Sequence, residues 1–156
     1  MNKVPAGLDD PSRVHELRIL LGRKPFLRLL YEEFYGKFAA ALRSCPAEGV
    51  ILELGSGAGF LRDFIPEIRT SDVLAYEGID MVVDAACMPF GDESLRAICM
   101  LNVFHHLPDV EHFLLEAQRC LLPGGRVLMI DQYPGFIGWP IYKYVHHEPF
   151  DPCAKT

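Results

Sequence analysis

The stretch Val50-Ile51-Leu52-Glu53-Leu54-Gly55-Ser56-Gly57-Ala58-Gly59-Phe60 (VILELGSGAGF, 50–60) decides the fold. Its first half is a short apolar run of the kind that forms a strand buried on both faces of a parallel sheet. The run opens without a spacer into glycines at alternate positions, Gly55, Gly57 and Gly59. Glycine lets the backbone turn tightly there and approach a ligand without a Cβ in the way. The next residues, FLRDFI (60–65), read as a short helix stopped by Pro66. The free N–H groups at its start suit a carboxylate or phosphate. Strand, glycine turn and helix make the first βα unit of an open α/β sheet, and that turn lies where such sheets bind ligands.

Working outward, IRTSDV (68–73), IDMVV (79–83), RAICML (96–101) and RVLMID (126–131) read as further strands. Between the last two, Val110, Phe113, Leu114, Ala117 and Leu121 mark an amphipathic helix after Pro108, closed by Pro123-Gly124-Gly125. Strands alternating with helices predict a parallel sheet covered on both faces. Upstream, Asp10-Pro11 starts a helix that should stop at Gly22. A second helix begins near Pro25. Its stripe of Leu27, Leu30, Phe34, Phe38 and Ala41 reads as core packing rather than a lid, and Cys45-Pro46 ends it. The expected organisation is one domain over 1–156, with N-terminal helices (1–46), a cofactor-binding core (47–131) and an aromatic tail (132–156).

Composition agrees. A chain of 156 residues suits one core, and 50% hydrophobic with 23% charged residues excludes disorder, collagen and coiled coil. A net charge of −6 argues against nucleic-acid binding, which calls for a basic face. The cysteines Cys45, Cys87, Cys99, Cys120 and Cys153 are odd in number and never spaced C-x-x-C. That fits neither a disulfide framework nor a zinc site, and it suits a reducing compartment. The start MNKVPAGLDDPSR lacks the apolar stretch of roughly 7–15 residues of a signal peptide. No run reaches the ~18 apolar residues of a membrane span. The expectation is a soluble cytoplasmic chain with no membrane contact.

The dinucleotide fingerprint G-x-G-x-x-G asks for a third glycine where Phe60 stands. The pattern here is E-x-G-x-G-x-G, which leaves a nicotinamide enzyme as a third option only. Asp72 and Asp84 each follow a strand. A carboxylate at the first position can accept ribose hydroxyls, and one at the second can accept an exocyclic amine such as adenine N6. Either alone also fits a loop or capping acid. In order behind the glycine turn they favour an adenosine pocket.

These residues resemble a class I S-adenosylmethionine-dependent methyltransferase of the small type 11 kind. Four motifs carry the likeness: ELGSGAG (53–59), Asp72, VVDAACMPFGDESL (82–95), and LNVFHHLPD (101–109) leading to EAQRCLLPGGRVLMID (116–131). One departure stands at the entrance of the fourth strand, where Leu95-Arg96 replaces the family's usual Phe-Asp. The resemblance implies a Rossmann-like doubly wound sheet with S-adenosyl-L-methionine as cofactor and S-adenosyl-L-homocysteine as product. It further implies that Glu53 and the backbone of Gly55, Ser56, Gly57 and Gly59 hold the methionine part. Asp72 would hold the ribose and Asp84 with Ala85 the adenine edge, while Leu101 and Asn102 would lie beneath the sulfonium. The acceptor it implies is a small molecule, sugar-type compounds included.

Methyl transfer is a direct displacement, in which alignment can supply roughly 7–11 kcal/mol. A protic acceptor also needs a base, and His105 and His106 just past the fourth strand are the candidates. No metal is expected, since His146, His147, Glu148 and Asp151 match no zinc signature. The family's sheet has seven strands, and about five are legible here, so the final antiparallel hairpin is expected to be missing. The fifth strand would then be an open edge, covered by the aromatic tail or by a second copy of the chain. A module that keeps the fold without catalysis is the alternative reading.

Overall fold

In the parallel sheet, β1 (Val50–Leu54) and β4 (Leu95–Leu101) lie side by side, with Leu52 opposite Ile98 and Leu54 opposite Met100. Both strands are apolar along nearly their whole length because both faces are covered. A computed structural model describes residues 12–132 and 135. Among them, β2 (Arg69–Asp72), β3 (Met81–Val82) and β5 (Leu121–Ile130) complete a sheet of order β3-β2-β1-β4-β5 with every pairing parallel. The α/β expectation of a five-stranded Rossmann-like sheet with N-terminal helices is met. The Asp10-Pro11 helix start lies outside the described residues, as do the tail aromatics and His146, His147, Glu148, Asp151 and Cys153. The expected cover over the fifth strand therefore falls outside them too.

The strands sort their side chains between two layers. Leu52, Leu54, Ile98 and Met100 meet Phe113, Ala117 and Cys120 of α3 (Val110–Cys120) on one face. Ile51, Ala97 and Cys99 meet Tyr35, Phe38 and Leu42 of α2 (Pro25–Leu42) on the other. The buried stripe of α2 is thus Tyr35, Phe38 and Leu42, one helical step away from the predicted Leu27, Leu30, Phe34, Phe38 and Ala41. Only Phe38 is common to both. In α3, Phe113 and Ala117 are buried as read, whereas Leu114 is 51% exposed and Cys120 takes the expected place of an apolar core residue.

Boundaries differ from the sequence reading in four places. Helix α1 (Ser12–Arg23) runs through Gly22, and the break falls at Lys24, which is extended (φ −113°, ψ 92°). Pro25 imposes this, because its ring crowds the preceding residue out of the helical region. The expected helix at 60–65 is a single 3₁₀ turn, Leu61–Asp63. Pro66 follows too soon for more, so no helix N-terminus stands over the glycine turn. β3 has two residues rather than five. β5 begins directly at the end of α3, pairing Leu121 with Leu95, then shifts register so that Arg126 faces Ala97. The Pro-Gly-Gly segment is the irregularity between. Arg96 donates to the carbonyl of Ala47 and to Glu67, at the end of the sheet away from the glycine turn. The departure at Leu95-Arg96 is therefore a local matter of anchoring the entrance of β4.

Truncating Phe113, fully buried against β1 and β4, to alanine is expected to cost about 3–5 kcal/mol in urea unfolding. Leu114→Ala on the same helix is expected to change stability by less than about 0.5 kcal/mol. Equal effects at the two positions would mean that the helix face is assigned wrongly.

Candidate functional site

Two hydroxyls and two carboxylates hold the glycine turn to the sheet. Glu53, penultimate in β1, is 5% exposed and accepts a hydrogen bond from Ser56 Oγ at 2.7 Å. Ser56 Oγ also accepts from Ser71 N at 3.2 Å, Ser56 N donates to the Ser71 carbonyl at 2.8 Å, and Ser71 Oγ donates to the Glu53 carbonyl at 2.6 Å. The turn after β1 is thereby fastened to β2. Gly57 N donates to Asp72 Oδ2 at 3.1 Å, one step further along the same strand. Asp72 takes two more bonds, from Tyr76 Oη at 2.9 Å and from Leu74 N at 3.2 Å.

The glycines are required for different reasons. Gly55 has φ +65°, and a Cβ there would lie 2.4 Å from Val103 Cγ2, so the turns after β1 and β4 are in contact. Gly57 has φ +49° with its nearest neighbour at 3.9 Å, so it borders open space. At Gly59 a Cβ would come within 2.6 Å of Tyr35 Oη, which accepts the Phe60 N–H at 3.1 Å. Tyr35 thus supports the turn from α2, with its ring edge-on to Phe60 at 5.0 Å. A side chain in the middle of an apolar helical stripe gives no sequence sign that its hydroxyl does this.

Burial pushes the Glu53 carboxyl up to about 7, although the bond from Ser56 favours the ionised form. Burial likewise raises the Tyr35 and Tyr76 hydroxyls and lifts the Cys99 thiol to about 12, so that Cys99, buried on the same side of the sheet as Glu53, is an unreactive core residue. A depression beside the glycine turn is lined by Glu53, Ser56, Gly59, Phe60, Thr70 and Arg18 of α1, among others. It gathers the expected Glu53, Ser56 and Gly59. Asp72, Asp84, Ala85, Leu101 and Asn102 lie outside its lining, along the ends of β2, β3 and β4. Asp84 is exposed and bonds its own turn through Ala86 N at 2.9 Å. Asn102, which follows β4, adopts φ +55°, a left-handed conformation that asparagine tolerates better than most residues.

His105 and His106 stand in a 3₁₀ turn (Phe104–His106) after Asn102, with ring centroids 4.0 Å apart. His105 Nδ1 meets Asp131 Oδ1 at 2.5 Å, and Asp131 Oδ2 accepts from Phe104 N at 2.8 Å. In the sequence Asp131 is only the end of a strand motif, because its partner is 26 residues away and is reached only across the sheet. Among the described residues no group of three or more His, Cys, Asp or Glu side chains could hold a metal. No helix there is long and apolar enough to cross a membrane.

An open parallel sheet with a glycine turn after β1 defines an α/β protein of the kind that binds ligands at the C-terminal ends of its strands. The chain belongs to the type 11 methyltransferases: the family model described as a methyltransferase domain matches residues 52–129, from β1 to β5. It is 27% identical over 123 residues to the ubiquinone/menaquinone biosynthesis C-methyltransferase UbiE of Desulfotalea psychrophila, covering 66% of this chain and 49% of that protein. It is 40% identical over 48 residues to the 27-O-demethylrifamycin SV methyltransferase of Amycolatopsis mediterranei, covering 31% and 18%. The solved structure of YcgJ from Bacillus subtilis superposes with a TM-score of 0.54 at 26% identity, over 65% of this chain and 51% of that one. The chain spans about half the length of UbiE, which it matches.

Unfolding experiments at varied pH test the state of Glu53. Its pKa rises from 4.5 to about 7 in the folded chain, so the folded state holds the proton more tightly. The stability this group lends is complete below about 4.5 and is lost as the pH climbs to 7. Native protein is expected to lose roughly 3 kcal/mol relative to Glu53→Gln across that window. Parallel profiles would mean that Glu53 is not desolvated.

Proposed function

We propose that the chain binds S-adenosyl-L-methionine along the C-terminal ends of β1 to β4 and transfers its methyl group to a small-molecule acceptor, releasing S-adenosyl-L-homocysteine. The observation that carries this reading is the buried carboxylate of Glu53 beneath a glycine turn that is hydrogen-bonded to Asp72. The donor set fits the cofactor. Gly57 offers backbone without a side chain at an open edge, and Glu53 offers a negative charge to an α-ammonium group. Asp72 has spent three bonds on Gly57, Tyr76 and Leu74, while a carboxylate accepts about four. A ribose hydroxyl can take the remaining place or displace Tyr76. Asp84 and Ala85 would meet the adenine edge, and Leu101 and Asn102 would form the floor.

When bound, the cofactor supplies a methyl group on a positively charged sulfur. The chain's part would be alignment: Glu53 and the 55–57 backbone would hold one end of the cofactor and Asp72 the other. Two of the relatives are named for C-methylation in ubiquinone/menaquinone biosynthesis and for methylation of 27-O-demethylrifamycin SV, which supports a small-molecule acceptor over a macromolecule. This fits the acidic net charge of −6.

Calorimetric titration with S-adenosyl-L-methionine tests the reading, followed by turnover against phenolic, quinol and sugar-type acceptors. Asp72→Ala is expected to weaken binding about 10- to 100-fold through lost charge-assisted hydrogen bonds. Affinity in the native chain is expected to rise with pH from 5 toward 7 as Glu53 ionises, and to lose that slope in Glu53→Gln. Absence of binding would sink the proposal. Binding without any turnover would favour a cofactor-binding module that lacks catalysis.

A further inference from the structure

The loop between β3 and β4 takes its shape from the neighbouring helix. On α3, Arg119 forks onto Glu116, Nε to Oε1 at 2.9 Å and Nη2 to Oε2 at 2.8 Å. Both side chains also reach the loop. Glu116 Oε2 accepts from Met88 N at 3.0 Å. Arg119 donates to the carbonyls of Met88 at 3.2 Å and Phe90 at 2.9 Å, and to Asp92 Oδ1 at 2.8 Å. The hydrogen bond from Arg119 holds the Glu116 carboxyl below its ordinary pKa, so the pair stays charged at neutral pH. From the core side, Met88 is buried in the same cluster as Phe113 and Ala117. Met88 follows a tight turn that begins at Asp84. Cys87 N donates to the Asp84 carbonyl at 3.0 Å, and Asp84 Oδ1 accepts from Ala86 N at 2.9 Å. Just ahead of the turn, Val83 N donates to the Asp72 carbonyl at 2.9 Å. The turn thus sets the direction of the Asp84 carboxylate, and it is pinned by β2 at one end and by Glu116 and Arg119 at the other. Among the described residues, Asp84 Oδ2 and Ala85 N–H have no hydrogen-bond partner.

We propose that Glu116 and Arg119 are positioning residues that give the cofactor site its choice of purine base. They do so by holding the 84–88 turn so that Asp84 Oδ2 and Ala85 N–H face the base as an acceptor beside a donor. The inference rests on the cofactor binding proposed above. Adenine carries the matching edge, an amino group at C6 that donates and a ring nitrogen N1 that accepts. Hypoxanthine, its deaminated form, carries an oxygen at C6 that accepts and an N1–H that donates. Both contacts then set like against like, since an ionised carboxylate only accepts and a backbone N–H only donates. Rejection of this kind needs the two protein groups held at one spacing, because a loop free to move relieves the clash by stepping aside. Neither Glu116 nor Arg119 touches the base; each acts through the backbone of Met88. The ribose contact is independent of the pair, since the Asp72 carboxylate is held by Gly57, Tyr76 and Leu74.

Calorimetric titration of the full chain with three ligands tests this: S-adenosyl-L-homocysteine, its deaminated analogue S-inosyl-L-homocysteine, and its 2′-deoxy analogue. The native chain is expected to prefer the adenine ligand to the inosine ligand about 100-fold, the worth of two hydrogen bonds. Arg119→Lys keeps the charge but loses the fork. In that variant the base preference is expected to fall to about 10-fold or less, at least one hydrogen bond's worth, while the preference for the 2′-hydroxyl stays as in the native chain. Glu116→Gln is expected to act in the same direction, and it carries the test if thermal melting shows that Arg119→Lys does not fold. An equal loss of affinity for all three ligands would mark the pair as structural only and overturn the inference. So would an adenine preference that the folded variants keep or that the native chain lacks. In each of those cases the cofactor reading stands. A native chain that binds none of the three ligands overturns the cofactor reading itself, and the inference with it.

Discussion

Everything at the C-terminal edge of the sheet depends on how the turn after β1 is tied to β2. A glycine-rich turn is entropically loose, and it becomes a fixed surface only when its polar groups are satisfied on one side. Ser56 and Ser71 do this by exchanging backbone and hydroxyl bonds with each other and with Glu53. The price is a carboxylate taken out of water. That cost appears as the raised Glu53 pKa, and it leaves an acid poised to meet a cationic ligand. Structural fastening and candidate binding chemistry are thus one network.

The second layer of support comes from outside the sheet. Tyr35 on α2 reaches the far side of the turn, bonds Phe60 N and packs edge-on against its ring. Val103 presses on Gly55 from the turn after β4. The three turns after β1, β2 and β4 therefore position one another, so a change in one is felt at the others. Asp131 extends the same logic to β5 by holding the turn that carries His105. The C-terminal edge of the sheet is a chain of contacts from β2 to β5 rather than a row of independent loops.

Much of the fold was legible because it rests on local signals. The run 50–54 and its glycines announce a βα unit, and β4 and α3 follow from apolar patterning alone. Misreadings occurred where a neighbour decides the outcome. The stripe of α2 shifted to Tyr35, Phe38 and Leu42 because periodicity gives a helix its faces but does not say which one meets the sheet. The helix expected after Gly59 shrank to one 3₁₀ turn because Pro66 and the packing of Phe60 leave no length for more. At the site, Glu53 and Ser56 were marked by their places in the glycine motif and Asp72 by its place at the end of a strand. Ser71, Tyr35, Tyr76 and Asp131 carried no such mark, since each acts on a residue four to 26 positions away or across a strand pairing.

By itself the sequence determined the class of fold, the order of its strands along the chain and the place of the glycine turn. These follow from side-chain period and glycine spacing, which are properties of short segments. Only the tertiary structure decided the state of Glu53, the support from Tyr35 and the pairing of His105 with Asp131. The reason is physical: desolvation and hydrogen-bond partnership depend on what is brought alongside in space. A strand sequence cannot say which distant carboxylate will lie against the histidine of its neighbour.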